Sequence, residues 1–140
     1  MRFMMIVKAN PESEAGVMPS DELISAMNKY NEELMKAGVL LDGAGLQPSS
    51  KGARVKYSAN GKQTVVDGPF TETKELIAGY WLIQAKSREE AIEWAKRAPN
   101  PAGPGKYGEI EIRQFFELED FGDSPAVDEA RRLERDWGKK

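Results

Sequence analysis

The chain has 140 residues, a mass of 15.6 kDa, and 20 Lys and Arg against 23 Asp and Glu for a net charge of -3; that is one domain of ordinary size with no overall positive field to hold a phosphate backbone. It contains no Cys and no His, which removes disulfides, thiolate nucleophiles, Cys/His zinc sites, haem on a His or Cys ligand, and imidazole as an acid or base. With 40% hydrophobic and 31% charged residues, the composition supports a packed core under a solvated surface, and any chemistry falls to carboxylates, Lys, Tyr or an added cofactor.

The opening Met1-Arg2-Phe3-Met4-Met5-Ile6-Val7-Lys8 is cut off by Lys8 well short of the ~7–15 apolar residues of a signal-peptide core. It reads instead as a first strand over residues 2–9, with Phe3, Met5 and Val7 on one face and Met4 and Ile6 on the other. No run approaches the ~20 apolar residues of a membrane helix, so a cytoplasmic chain without membrane attachment is expected. After a polar turn through Asn10-Pro11-Glu12, Ser20 is placed to cap a helix carrying Asp21 and Glu22 in its first turn. Leu23, Met27, Tyr30 and Leu34 recur at helical spacing, and Gly38 ends the element. Val39-Leu40-Leu41 begins a second strand that breaks at Gly43-Ala44-Gly45, a bulge or turn lacking the third glycine and helix of a dinucleotide site. Residues 53–58 and 62–66 flank Asn60-Gly61, a pair suited to a hairpin turn with positive φ at both residues.

Asp67-Gly68-Pro69-Phe70 interrupts the pattern before the run at residues 76–83, apolar on both faces. Ser87 and Glu90 form a capping box for a short helix bearing Ala91, Ile92, Trp94, Ala95 and Ala98. The loop at residues 99–105 is broken by proline and glycine; its Gly103-Pro104-Gly105-Lys106 lacks the Ser or Thr of a phosphate-binding loop. Residues 109–116 read as the last strand, and Ser124-Pro125 starts a tail helix with Val127, Ala130, Leu133 and Trp137 on one side. The tail is neutral, with five acidic and five basic residues.

Strand, helix, strand, hairpin, strand, helix, strand is a split βαβ repeat. Residues 1–120 are therefore expected to form a ferredoxin-like α+β domain with a mainly antiparallel sheet, and residues 121–140 a helical tail. Two helices cover only one sheet face, yet the strands around Met4 and Trp81 are apolar on both. Burying the second face gains roughly 25 cal/mol per Å², so a homodimer with its sheets packed face to face is the expected cover. The alternative is a monomer whose tail helix folds back over the sheet.

At Asp67-Gly68-Pro69-Phe70-Thr71-Glu72-Thr73-Lys74-Glu75, continued by Gly79-Tyr80, the chain resembles the DGPF family of YCII-related proteins. The resemblance spans roughly residues 2–122 and includes Tyr30-Asn31-Glu32-Glu33-Leu34, Gly43-x-Gly45-Leu46-x-Pro48 and Glu109-Ile110-Glu111-Ile112-Arg113. It implies a dimeric α+β barrel with a cleft lined by this loop and its neighbouring strands. Members are small bacterial proteins largely without assigned function, some with a His and Asp pair in the cleft, often encoded beside extracytoplasmic-function sigma factors. Many relatives read Gly-Leu-His-Pro where this chain has Gly45-Leu46-Gln47-Pro48. Gln47 donates and accepts hydrogen bonds but does not titrate near neutral pH, so a His-dependent mechanism is excluded and ligand binding gains weight.

Asp67 is the candidate catalytic base or ligand anchor, set against the plain reading of a turn carboxylate capping local N–H groups. Phe70 offers an apolar wall, Lys74 a charge for an anion, Tyr80 a weak acid, and Gln47 a polar contact. Arg113, among Glu109, Glu111 and Glu117, reads as a cross-strand ion-pair partner. No metal and no cofactor are expected, and the six Met are core filler. The expected function is binding of a small polar or anionic ligand in the cleft of a homodimer. The alternative is a regulatory or protein-interaction module linked to such a sigma factor, its tail helix presenting Leu133 and Trp137.

Overall fold

In the computed structural model, which describes residues 1–138, β1 (Arg2–Lys8) turns Phe3 and Met5 into the interior and Met4 and Ile6 to the opposite face, as a two-residue period requires. Asn10 and Ser13 form a reciprocal capping box for a one-turn helix, α1 (Pro11–Glu14), where the sequence suggested only a polar turn. α2 (Asp21–Lys36) begins at Ser20, whose hydroxyl accepts from the Leu23 N–H at 3.2 Å. Gly38, at φ +71°, turns the chain out of it in the left-handed region that glycine enters freely. β2 (Leu40–Gly45) and a 3-10 turn (Ser49–Lys51) lead to the ribbon of β3 (Ala53–Tyr57) and β4 (Gln63–Asp67). A second 3-10 turn (Thr73–Glu75) precedes β5 (Ile77–Gln84), followed by α3 (Arg88–Arg97), β6 (Ile110–Gln114), a third 3-10 turn (Leu118–Phe121) and α4 (Pro125–Gly138).

Four strands form one sheet in the order β2-β5-β1-β6, every neighbour antiparallel, and β3-β4 form a separate pair. The protein is α+β with an antiparallel sheet. Phe3, Met5, Trp81 and Ile83 lie on the face covered by Tyr30 and Leu34 of α2 and Ala91 of α3, and these residues are the core. The Tyr30 and Trp81 rings meet edge to face at 5.3 Å; the Tyr30 hydroxyl donates to the Trp94 carbonyl at 2.5 Å and the Trp81 indole to Asn31 Oδ1 at 2.7 Å. No buried side-chain nitrogen or oxygen among the described residues lacks a partner, so hydrogen bonds offset the cost of taking the polar ends of these aromatics out of water.

Burial pushes the Tyr30 phenol up to about 12, whereas in the unfolded chain it titrates near ~10. The folded state therefore holds this proton more tightly. That contribution to stability is complete below pH ~10 and is lost as pH rises through the folded value. Urea melts between pH 9.5 and about 12 should show stability falling across that window, less steeply in Tyr30→Phe.

Two expectations are corrected. Gly43-Ala44-Gly45 does not break β2 but belongs to it, paired through Gly43 with Trp81 and Gly45 with Gly79; the irregularity lies earlier, between Leu40 and Asp42. Glycine is what the pairing demands at Gly79, where a Cβ would stand 2.8 Å from the Ala44 carbonyl oxygen. The hairpin runs through Ala59, Asn60 and Gly61, with Ser58 N–H donating to the Lys62 carbonyl, and only Gly61, at φ +86°, is left-handed. A three-residue loop needs one such residue rather than two. α4 starts at Ser124, whose hydroxyl accepts from the Val127 N–H at 3.1 Å, and packs on the Leu118–Phe121 turn. Leu133 and Trp137 stay 54% and 70% exposed, so the tail's apolar side is not spent on covering the sheet.

Candidate functional site

The Asp67-Gly68-Pro69-Phe70 segment is a clasp. Glu14 accepts from the Ser49 N–H at 3.0 Å and also from the Ser49 hydroxyl, while Ser49 Oγ accepts from the Phe70 N–H at 3.0 Å. Gly68 N–H donates to the Gly52 carbonyl at 3.0 Å. A Cβ on Gly68 would fall 1.7 Å from the Ser49 carbonyl oxygen, so no other residue fits unless the clasp moves. Pro69 follows through a cis peptide bond. The Arg54 guanidinium lies 3.7 Å from the centroid of the Phe70 ring, a cation held on a π face. Glycine is thus required here for space rather than for backbone freedom, and Phe70 is occupied on one side by the arm that carries Arg54.

Asp67 ends β4 opposite Ala53 and is exposed. Its carboxylate has no hydrogen bond or ion pair among the described residues, so it is not spent on capping the turn. Gln47 and Lys74 are likewise exposed, Gln47 between β2 and the Ser49–Lys51 turn and Lys74 within the Thr73–Glu75 turn.

Tyr80 lies on the sheet face turned away from the helices, with Met4, Ile6, Ala78 and Leu82, all partly buried. Its hydroxyl donates to Asp42 Oδ2 at 3.2 Å, and Asp42 Oδ1 accepts from its neighbour's Gly43 N–H at 2.8 Å. Asp42 stands across from Leu82 and Ala44 across from Tyr80, so the contact is a diagonal one that a long aromatic side chain can span. The hydrogen bond to Asp42 raises the Tyr80 phenol above its ordinary range, leaving it a neutral donor at physiological pH. Along the β6 side, Glu111 pairs across strands with Lys8 at 3.7 Å, whereas Arg113 pairs at 3.2 Å with the same Glu111 two residues before it on its own strand, not across strands as expected. Glu117 instead takes Arg2 in a two-pronged bond at 3.0 Å.

The five residues singled out from the sequence therefore fall in two places: Phe70, Gln47 and Asp67 around the clasp, and Tyr80 on the sheet, with Lys74 on the turn between them in the chain. No hydrogen bond or ion pair among the described residues joins the two groups. Sequence reasoning missed Asp42, Glu14 and Arg54. Asp42 was hidden by the glycines after it, which made a strand residue resemble the start of a turn. Grooves of about 390 Å³ under α3, bounded by Ala95, Pro99, Gly108 and Ile110, and about 270 Å³ beside α4 lie elsewhere. No group of three or more carboxylates able to hold a metal occurs among the described residues, and none of their helices is long and apolar enough to cross a membrane.

The chain is similar to known proteins. An uncharacterized protein of Rhizobium meliloti (strain 1021) is 34% identical over 107 residues, 74% of this chain and 84% of its own length. Among solved structures, 5-chloro-2-hydroxyhydroquinone dehydrochlorinase from Burkholderia phenoliruptrix AC1100, in complex with 2,5-dihydroxybenzoquinone, aligns over 84% of this chain and 95% of its own with 16% identity and a TM-score of 0.47. The family model described as the YCII-related domain matches residues 1–116. The chain belongs to the YCII-related domain family.

Proposed function

We propose that this protein binds a small polar or anionic molecule on the open face of its sheet, in the cleft of a homodimer built from two ferredoxin-like domains packed as an α+β barrel. The observation that carries the reading is the Tyr80–Asp42 pair, a fixed donor and a fixed acceptor 3.2 Å apart on a face that the helices leave uncovered. A ligand with adjacent hydroxyl and carbonyl or carboxylate groups can exchange hydrogen bonds with both. Gln47, Phe70, Lys74 and the unpaired Asp67 carboxylate, at the clasp and the turn after it, are kept as further candidate ligand contacts apart from this pair, and the place of the chain is the DGPF branch of its family, in the cytoplasm. The β2-β5-β1-β6 order with antiparallel neighbours supports the ferredoxin-like reading. Proton transfer, where it occurs, falls to Asp42 or Asp67, because the chain has no imidazole.

Native mass spectrometry of freshly purified protein tests both parts. A species at twice 15.6 kDa carrying a fixed additional mass is the expected result, and Tyr80→Phe should lose that mass while keeping the fold, since the removed hydroxyl serves only Asp42. Retention of the same mass by Tyr80→Phe and by Asp42→Asn would move the site away from this pair. The second reading, an interaction module, rests on the exposed Leu133 and Trp137 of α4 and on the exposed Phe116 and Phe121, whose tilted rings meet at 5.1 Å. Under it, deletion of residues 123–140 abolishes partner capture and leaves any bound small molecule untouched.

A further inference from the structure

β3 and β4 form a ribbon with no third strand among the described residues, and all its ladder residues except Val66 are exposed. The two faces differ. Val55, Tyr57 and Val65 share one, with Val55 directly across from Val65; Arg54, Lys56, Thr64 and Val66 occupy the other. Val55, Tyr57 and Val65 are 50%, 70% and 65% exposed. A lone two-stranded hairpin is marginal in water, so an apolar cross-strand pair on such an arm favours a cover.

The arm is also unbalanced in charge. Residues 51–67 hold Lys51, Arg54, Lys56 and Lys62 against Asp67, a net +3 in a chain of net -3, which leaves the remainder at -6. None of these five residues enters an ion pair among the described residues. A positive arm on a negative body is complementary to a second copy of the same body.

We infer that the β3–β4 ribbon is an intersubunit arm, which crosses to a second copy of this chain and lays Val55, Tyr57 and Val65 beside that copy's open sheet face, closing the Tyr80–Asp42 site. The inference rests on the dimeric reading above and says how the dimer completes its site. Small-molecule sites are concave, whereas in one chain Tyr80 and Asp42 stand on an open wall and the grooves lie at α3 and α4. The open sheet, four strands at about 4.8 Å spacing and some 20 Å long, offers a footprint of about 400 Å². A stable pair buries about 800 Å² on each partner. An arm leaving the chain after β2, an outer strand of that sheet, extends the sheet-against-sheet contact beyond the four strands. A two-fold axis makes the exchange reciprocal, so each copy gives one arm and receives one.

Sedimentation equilibrium on the full chain, wild type and Val55→Asp/Val65→Asp, tests the arm, with circular dichroism confirming the fold. The expected result is a wild-type dimer and a variant whose dissociation constant rises about tenfold or more. Lys56→Glu/Lys62→Glu provides an independent check without touching the apolar row. It should weaken the dimer at low salt and approach wild type at about 1 M salt, where the screening length falls to about 3 Å. A wild-type monomer removes the dimeric reading and the arm with it. A wild-type dimer with unchanged constants in both variants leaves the dimer standing and overturns the arm. Binding of a fluorescent duplex oligonucleotide that Lys56→Glu/Lys62→Glu abolishes, with dimerisation unaffected, gives the arm to a polyanion and overturns the inference as well.

Discussion

Gly68→Ala is expected to lower stability by about 2–4 kcal/mol, the range of a severe steric insertion into a packed contact. The added methyl would sit 1.7 Å from the Ser49 carbonyl oxygen, with the Ser49 carbonyl carbon at 2.6 Å and the Ser50 nitrogen at 3.3 Å. Those are backbone atoms on a turn whose hydroxyl and N–H are already held by Glu14 and Phe70, so nothing nearby can rotate aside. Relief comes only by separating residues 49–52 from residues 67–70, which forfeits the Gly68-to-Gly52 hydrogen bond and the seat of Phe70 together. Urea denaturation followed by fluorescence and circular dichroism measures the loss. Gly61→Ala is the control: its Cβ meets open space, and only the left-handed backbone at φ +86° is strained, a cost of about 1 kcal/mol.

Leu34→Ala should be the larger loss, about 3–4 kcal/mol, from the transfer of a buried side chain together with the cavity that it leaves. Leu34 is fully buried in the cluster formed by Phe3, Met5, Trp81 and Ile83. Those four come from two paired strands, Phe3 opposite Ile83 and Met5 opposite Trp81, so collapse onto the vacancy would require bending a continuous ladder rather than moving one side chain. The denaturant midpoint should drop with the slope unchanged, as for a loss of packing without a change in surface exposed. Its neighbour Met35, 66% exposed, marks the other side of the helix, and Met35→Ala should stay within about 0.5 kcal/mol of wild type.

Where local chemistry decides an element, the sequence was explicit. Ser20, Ser87 and Ser124 each accept the backbone N–H expected of a helix cap, but Glu90 accepts from the Lys86 N–H at 2.8 Å rather than from that of Ser87, so the reciprocal half of the expected capping box does not form. The alternation separated Phe3 and Met5 from Met4 and Ile6, but with both faces apolar it did not say which one the helices cover; the structure buries Phe3, Met5, Trp81 and Ile83 and leaves Met4, Ile6 and Leu82 on the other. What could not be read depends on contacts distant in sequence. Gly43 and Gly45 look like a break until β5 lies alongside them, when Trp81 and the Ala44–Gly79 approach explain why small residues are there. The clasp is of the same kind: Glu14 and Ser49 are 35 positions apart, and no spacing rule links them. The conspicuous motif at residues 67–70 thus owes its glycine to its own packing, while the donor and acceptor on the sheet, Tyr80 and Asp42, are 38 positions apart.

The clasp also settles how the ribbon is attached. Because Gly68 donates to Gly52, the two ends of the insertion are tied together at its root, and residues 53–67 form a loop already closed before the arm begins. The entropy of closing a loop grows only slowly with its length, and with the root fixed, lengthening or shortening the ribbon leaves the distance from β2 to β5 unchanged. Within one chain the four-stranded sheet is thereby insulated from the length of the ribbon, and what limits the arm is the second copy that it reaches rather than the core to which it is rooted.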